Sequence, residues 1–239
     1  MKYVRDTTGR FKRRPHFEPY ELDRECEKIL FEFLLQRFGE FRFPVPTDAL
    51  EVLIEQHAED LDMYADLSGL GADVEGVTEF ISGSRPRVQI SKRLSEDVRL
   101  ENRLRTTLTH EFGHVKFHAP LWELDDGMQD LFGVRPERMS ISCKRENIIT
   151  ASEYDWMEWQ AGYVCGAMLM PRSRVKELAK QFLSKSSAAS LAVTAPSAID
   201  LIGRVMETFH VSSDAARVRL IKLRVLAEQR NSDLFALGR

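Results

Sequence analysis

Cysteine is scarce in this sequence: Cys26, Cys143 and Cys165 are three in 239 residues, widely spaced and odd in number. That excludes a disulfide framework and points to a reducing compartment. No apolar run approaches the roughly eighteen residues that a membrane helix needs. The basic opening MKYVRDTTGRFKRRPHF is followed by no apolar segment, so it does not read as a secretory signal. A strong charge of one sign is also missing. The formal net charge of −3 gives the whole chain no pull toward nucleic acid or an anionic membrane. These absences lead us to expect a cytoplasmic protein without membrane contact. The length suits one sizeable core, with or without a small appended module.

Apolar spacing divides the rest. Residues 1–18 read as a basic, disordered tail. Residues 21–38 carry Ile29, Phe33, Leu34 and Phe38 at helical spacing, until Pro44 and Pro46 stop the element. Asp48 is expected to cap a short helix reaching residue 57. Residues 61–67, 77–81 and 87–90 are β-compatible runs separated by GLGAD and SGSRP turns, which together read as a small antiparallel sheet. A long helix is expected over residues 95–118, with Leu100, Leu104, Leu108, Phe112 and Val115 in one stripe. Residues 119–150 show no clean period and read as an irregular insertion. A helix over 153–170 ends at Pro171, another covers 172–183, and SKSSAASLAVTAPS reads as a spacer before two closing helices. The expected fold class is α+β: a catalytic-type domain over residues 19–185, then a helical module over 186–239.

The chemistry lies in TLTHEFGHVKFH. His110 and His114 stand four residues apart on one helix, which stacks their imidazoles on one face within reach of a shared metal ion. Glu111 lies beside them, where its carboxylate can take a proton from water activated at the metal, so it is the expected catalytic base. The competing reading is a pair of helix histidines making ordinary hydrogen bonds. A catalytic zinc usually takes three protein ligands. His118 lies eight residues beyond His110, about 12 Å along a continuous helix, too far for all three histidines to converge. The metzincin arrangement needs a helix-breaking Gly and then a His, where this chain has Phe117 and Pro120. His118 is therefore expected to support the ligands or lie at the surface. A carboxylate from a later helix is the other solution, with Glu146, Glu153 and Glu158 as candidates.

HEFGH followed by EWQAGYVCGAMLMP resembles the ImmA/IrrE family of intracellular metallopeptidases. Members carry H-E-x-x-H and, later, a helix that starts with a ligand Glu and ends in a Leu-Leu-Met-Pro-like sequence. Here the ending is Met168-Leu169-Met170-Pro171, and the Glu thirteen residues before that Pro is Glu158. The resemblance spans roughly residues 45–225, including PVPTDAL and FHVSSDAARVRLIKL. It implies a zincin-like peptidase with one Zn²⁺ held by His110, His114 and Glu158. It also implies a protein substrate, a helix-turn-helix transcriptional repressor encoded nearby, cut in a stress or mobile-element response. Two departures stand out. The motifs are separated by 43 residues between His114 and Glu158, a long insertion. A chain of this length is also not expected to carry the C-terminal sensory domain of longer members.

Three further expectations concern single residues and the chain's end. Tyr154 or Tyr163 is the candidate oxyanion stabiliser, by phenolic hydrogen bond. Cys143 reads either as a thiolate that could occupy the zinc or, preferably, as a buried inert thiol. Ile202, Val205, Met206 and Phe209, then Ser212 as cap with Ala216, Leu220 and Leu223, describe two helices across a tight turn. With Arg217, Arg219, Lys222 and Arg224 this is helix-turn-helix-like, but nearby acidic residues favour a packed helical hairpin over DNA contact. The rival to the peptidase reading is a non-enzymatic DNA- or protein-binding regulator with a structural or vestigial metal site.

Overall fold

Lys2–Arg5 (β1) and Arg13–His16 (β2) pair antiparallel, with Lys2 opposite His16 and Arg5 opposite Arg13. The segment expected as a disordered tail is therefore a hairpin. Asp6 closes it: its carboxylate accepts from the backbone N–H of Thr8 at 3.0 Å and of Phe11 at 2.9 Å. The turn delivers Phe11 into a core cluster with Phe80, Trp122 and Trp156. That burial overrides the solvated character of the surrounding arginines.

The computed structural model describes residues 1–123, 138–144, 155–183 and 191–227. After the hairpin, Pro19–Phe38 (α1) begins with Pro19 in the first turn and a reciprocal Glu18–Glu21 capping box. It ends at Gly39, whose φ of 73° is the left-handed conformation a helix stop uses. Thr47–Glu55 (α2) follows. Asp60–Ala65 (β3), Val74–Ile81 (β4) and Arg87–Ser91 (β5) then form a sheet with a fourth strand, Arg138–Lys144 (β6), in the order β3-β5-β4-β6.

The sheet is mixed, which corrects the antiparallel expectation. β5 inserts between β3 and β4, pairing parallel with β3 and antiparallel with β4. β6 pairs antiparallel with β4, from Ile81 opposite Arg138 to Val74 opposite Lys144. It arises inside the stretch read as an irregular insertion.

The long helix expected over 95–118 is divided. Lys92–Glu96 (α3) stops at Asp97, which is extended and accepts from the Arg99 N–H at 3.0 Å. That side chain caps a short 3₁₀ turn at Val98–Leu100, and Glu101–Phe117 (α4) starts afresh. Pro120–Glu123 (α5) carries Trp122, stacked on Phe80 with ring centroids 4.1 Å apart and planes 11° apart. Trp122 is 1% exposed. Trp122→Ala is expected to cost about 3–5 kcal/mol of stability, read from urea unfolding of the metal-free protein.

Trp156–Leu169 (α6) packs against both α4 and α1. Its start is set by Asp155, whose carboxylate accepts from the Met157 and Glu158 N–H groups at 3.1 and 3.5 Å. Arg10 of the hairpin holds that carboxylate with both terminal nitrogens, one at 3.0 Å. The mean composition is thus α+β, and among the described residues no helix is long and apolar enough to cross a membrane.

The chain divides into two compact units, Met1–Pro171 and Arg172–Arg239. The boundary falls at Pro171 rather than near residue 185, so the helix Arg172–Leu183 (α7) belongs to the second unit. There it joins Pro196–Phe209 (α8), Ser213–Lys222 (α9) and a two-residue parallel ladder of Leu191–Ala192 (β7) with Leu226–Ala227 (β8). Ser212 caps α9, accepting from the Ala215 N–H at 3.2 Å. Arg219, expected to face outward, is only 1% exposed, which takes one of the four cations of this helix and its end away from the surface.

Candidate metal centre

The centre is built where α4 and α6 touch. Gly113, the fourth residue of HEFGH, has no side chain to separate them: a Cβ placed there would lie 2.8 Å from the Ala161 Cα. This close approach sets Glu158, three residues before Ala161, opposite the two histidines one helix away. The His114 Nε2 lies 3.1 Å from the His110 Nε2 and 3.2 Å from the Glu158 Oε1. The His110 Nε2 lies 3.4 Å from the Glu158 Oε2. Both histidines are fully buried, and Glu158 is 7% exposed.

Burial disfavours every charge here, so the directions of titration report what outweighs it. Burial opposes protonation of His114, yet Glu158 and then Glu111 more than offset that and raise it above the ordinary imidazole range. Burial likewise works against an ionised Glu158, but His110 and His114 prevail and hold it well below the usual carboxylate range. A cationic focus between the three side chains is what this environment stabilises.

The three side chains could hold a metal ion. Their donor atoms all lie within 4.8 Å of one another. Both Glu158 oxygens are buried without a well-formed hydrogen bond among the described residues. Two ring nitrogens 3.1 Å apart cannot face each other as bare lone pairs. A proton or a cation must sit between them, and the buried carboxylate beside them, 3.2 and 3.4 Å from the two nitrogens, favours the cation.

Glu111 is held on the other side of the same helix turn. Its Oε2 accepts from the Thr78 hydroxyl of β4 at 2.5 Å. Its Oε1 has no hydrogen-bond partner among the described residues and packs on Gly76, where a Cβ would come within 2.5 Å. Burial is the main influence on Glu111 and raises it above the usual carboxylate range, against the pull of His114, His110 and Thr78. A buried, basic carboxylate with one free oxygen is suited to accepting a proton.

The remaining candidates divide. His118 is fully buried, beside His114: the two Nδ1 atoms are 3.0 Å apart, and the His118 Nε2 meets the Gln160 Oε1 at 3.1 Å. Tyr163 donates its hydroxyl to Asp23 of α1 at 3.0 Å. It lies five residues from Glu158 along α6, on a different face of the helix. Tyr154 lies outside the described residues, as do Glu146 and Glu153. Cys143 sits on β6 opposite Gly76 and is fully buried. Burial first, then the carboxylates of Glu111 and Glu158, push its thiol well above the ordinary value. Full burial suits the inert-thiol reading.

Three contributors escaped the sequence reading: Thr78, Gly76 and Gln160. Thr78 and Gly76 alternate on β4, so both point to the α4 side of the sheet, a signal that becomes legible only once β4 is placed against the helix. Gln160 lies two residues after Glu158, and its polar side chain is 1% exposed.

Against protein-family models and characterised proteins, this chain finds no match. The functional reading therefore rests on the residues and their geometry.

Proposed function

We propose that this chain is a zinc-dependent endopeptidase of zincin-like fold, allied to the ImmA/IrrE metallopeptidases. Its protein substrate is a helix-turn-helix transcriptional repressor. One observation carries the reading: Glu158 converges on His110 and His114 from a separate helix, while Glu111 stands next to them with a free, buried carboxylate oxygen. A structural metal site has no use for such a base.

Zinc is the ion we assign to this donor set of two imidazoles and a carboxylate. Two ligands at about 2.0–2.1 Å from a tetrahedral ion stand about 3.3–3.4 Å apart. The His110 and His114 nitrogens, 3.1 Å apart, lie close to that figure, and Glu158 brings one oxygen to each of them, at 3.4 and 3.2 Å. When bound, zinc supplies Lewis acidity to a water molecule and to the scissile carbonyl. The chain's own residues do the rest. Glu111 takes the proton from the attacking water at Oε1, while Thr78 steadies Oε2. As the C–N bond breaks, the same carboxyl group gives that proton to the departing amine nitrogen, so the base is regenerated.

The test uses the zinc-loaded chain and the purified repressor encoded beside its gene. Two repressor fragments are expected, their appearance blocked by 1,10-phenanthroline and restored by added zinc. An intact repressor with the loaded chain rules out that substrate. Loss of repression that persists in Glu111→Gln would favour the non-enzymatic regulator instead.

A further inference from the structure

The hydrogen bonds around His118 form a directed series whose polarity can be worked out from its far end. Gln160 lies on α6, and its Nε2 donates to the Pro15 carbonyl of β2 at 3.1 Å. A carbonyl oxygen can only accept, so the amide nitrogen must face Pro15 and the amide oxygen must face the other way. That oxygen meets the His118 Nε2 at 3.1 Å, and it too can only accept. The proton is therefore on the His118 Nε2.

His118 is fully buried and no carboxylate hydrogen-bonds its ring among the described residues, so nothing balances a second proton on it. Trp156 packs its edge against the ring at a centroid distance of 5.2 Å. With its one proton on Nε2, His118 offers a bare Nδ1, and this faces the His114 Nδ1 at 3.0 Å. His114 must then donate from Nδ1. Its remaining nitrogen, Nε2, is the one that points at His110 and Glu158.

We infer that Gln160, anchored on the Pro15 carbonyl and acting through His118, is a positioning residue that fixes His114 with its proton on Nδ1 and its Nε2 free for the metal. The N-terminal hairpin is then part of the metal centre's support. A second, independent contact ties it to the same helix: Arg10 grips Asp155, the cap from which Glu158 begins its turn. This inference rests on the metal reading proposed above.

Zinc affinity, measured by competition with a chelator of known strength at fixed pH, tests it in three proteins. Gln160→Leu removes both hydrogen bonds and is expected to weaken zinc binding about 10–100-fold. Gln160→Glu loses the donor to Pro15 but still accepts from His118, so it is expected to lose less than the Leu variant does. Zinc affinity of Gln160→Leu within about twofold of wild type overturns the inference. So does an equal loss in both variants, which is the pattern of a purely structural residue.

A measurement on the wild type alone keeps the test independent of how the variants fold. In zinc-loaded protein with ¹⁵N-labelled histidine, His118 is expected to carry its proton on Nε2 and His114 on Nδ1. A His118 protonated on Nδ1 refutes the relay while leaving the zinc site intact. A wild type that takes up no zinc refutes the metal reading on which the relay depends.

Discussion

Glu111→Gln is expected to slow peptide hydrolysis by about 10³-fold or more while leaving the metal bound. General-base assistance by a positioned carboxylate is worth about 10²–10⁴ in rate. The amide of the variant cannot take up a proton under working conditions, so most of that factor should vanish. Metal retention follows from the geometry, because Glu111 lies outside the His110, His114 and Glu158 group. The fold should tolerate the change as well. The amide oxygen can still accept from Thr78, and the side chain keeps its volume against Gly76. Zinc content and turnover of the same preparation check both halves. Activity within tenfold of wild type would remove Glu111 from the role of base.

The second large effect comes from a residue with no side chain. Gly113→Val should strip the centre of its metal, weakening zinc binding by at least about 10²-fold, and should cost about 1–3 kcal/mol of stability through overpacking. A Cβ at Gly113 meets the Ala161 Cα at 2.8 Å, and this contact is backbone, which cannot swing aside. Relief requires α4 and α6 to part. Parting moves Glu158 away from the histidines, because Glu158 and Ala161 share one face of α6. Gly203 provides the control. It lies inside α8, and nothing stands within 4 Å of a Cβ built there. Gly203→Ala should leave zinc binding unchanged and raise stability by about 0.5–1 kcal/mol, since glycine is a poor helix residue. Isothermal titration and urea unfolding of the two variants separate crowding at the site from a general effect of replacing glycine.

Local pattern reached some of this and missed the rest for identifiable reasons. HEFGH and its helix were legible because the spacing of four is itself the geometry that stacks two imidazoles. Glu158 was one of three carboxylate candidates on spacing, and only a family resemblance singled it out. What brings it to the histidines is the Gly113–Ala161 contact, which joins positions in two distant helices. The arginines of residues 1–18 suggest a solvated tail where the fold has a hairpin. Its order comes from Phe11 meeting Trp122 and Trp156, more than a hundred residues away. β6 has a local signal inside the stretch without a clean period: in RMSISCK, Met139, Ile141 and Cys143 alternate with Ser140 and Ser142, the period of a half-buried strand. The parallel pairing of β3 with β5 was not available locally, because three short runs joined by turns suit a meander as well as an insertion.

The central claim is that Glu158 completes a metal centre with His110 and His114. Metal content per chain, for wild type beside Glu158→Ala purified and loaded in parallel, tests it most directly. About one zinc per chain in the wild type and clear loss in the variant is the predicted result. Full zinc retention in Glu158→Ala would contradict the account, because the third ligand would then have to come from elsewhere. A wild type that stays metal-free even after reconstitution would contradict it outright.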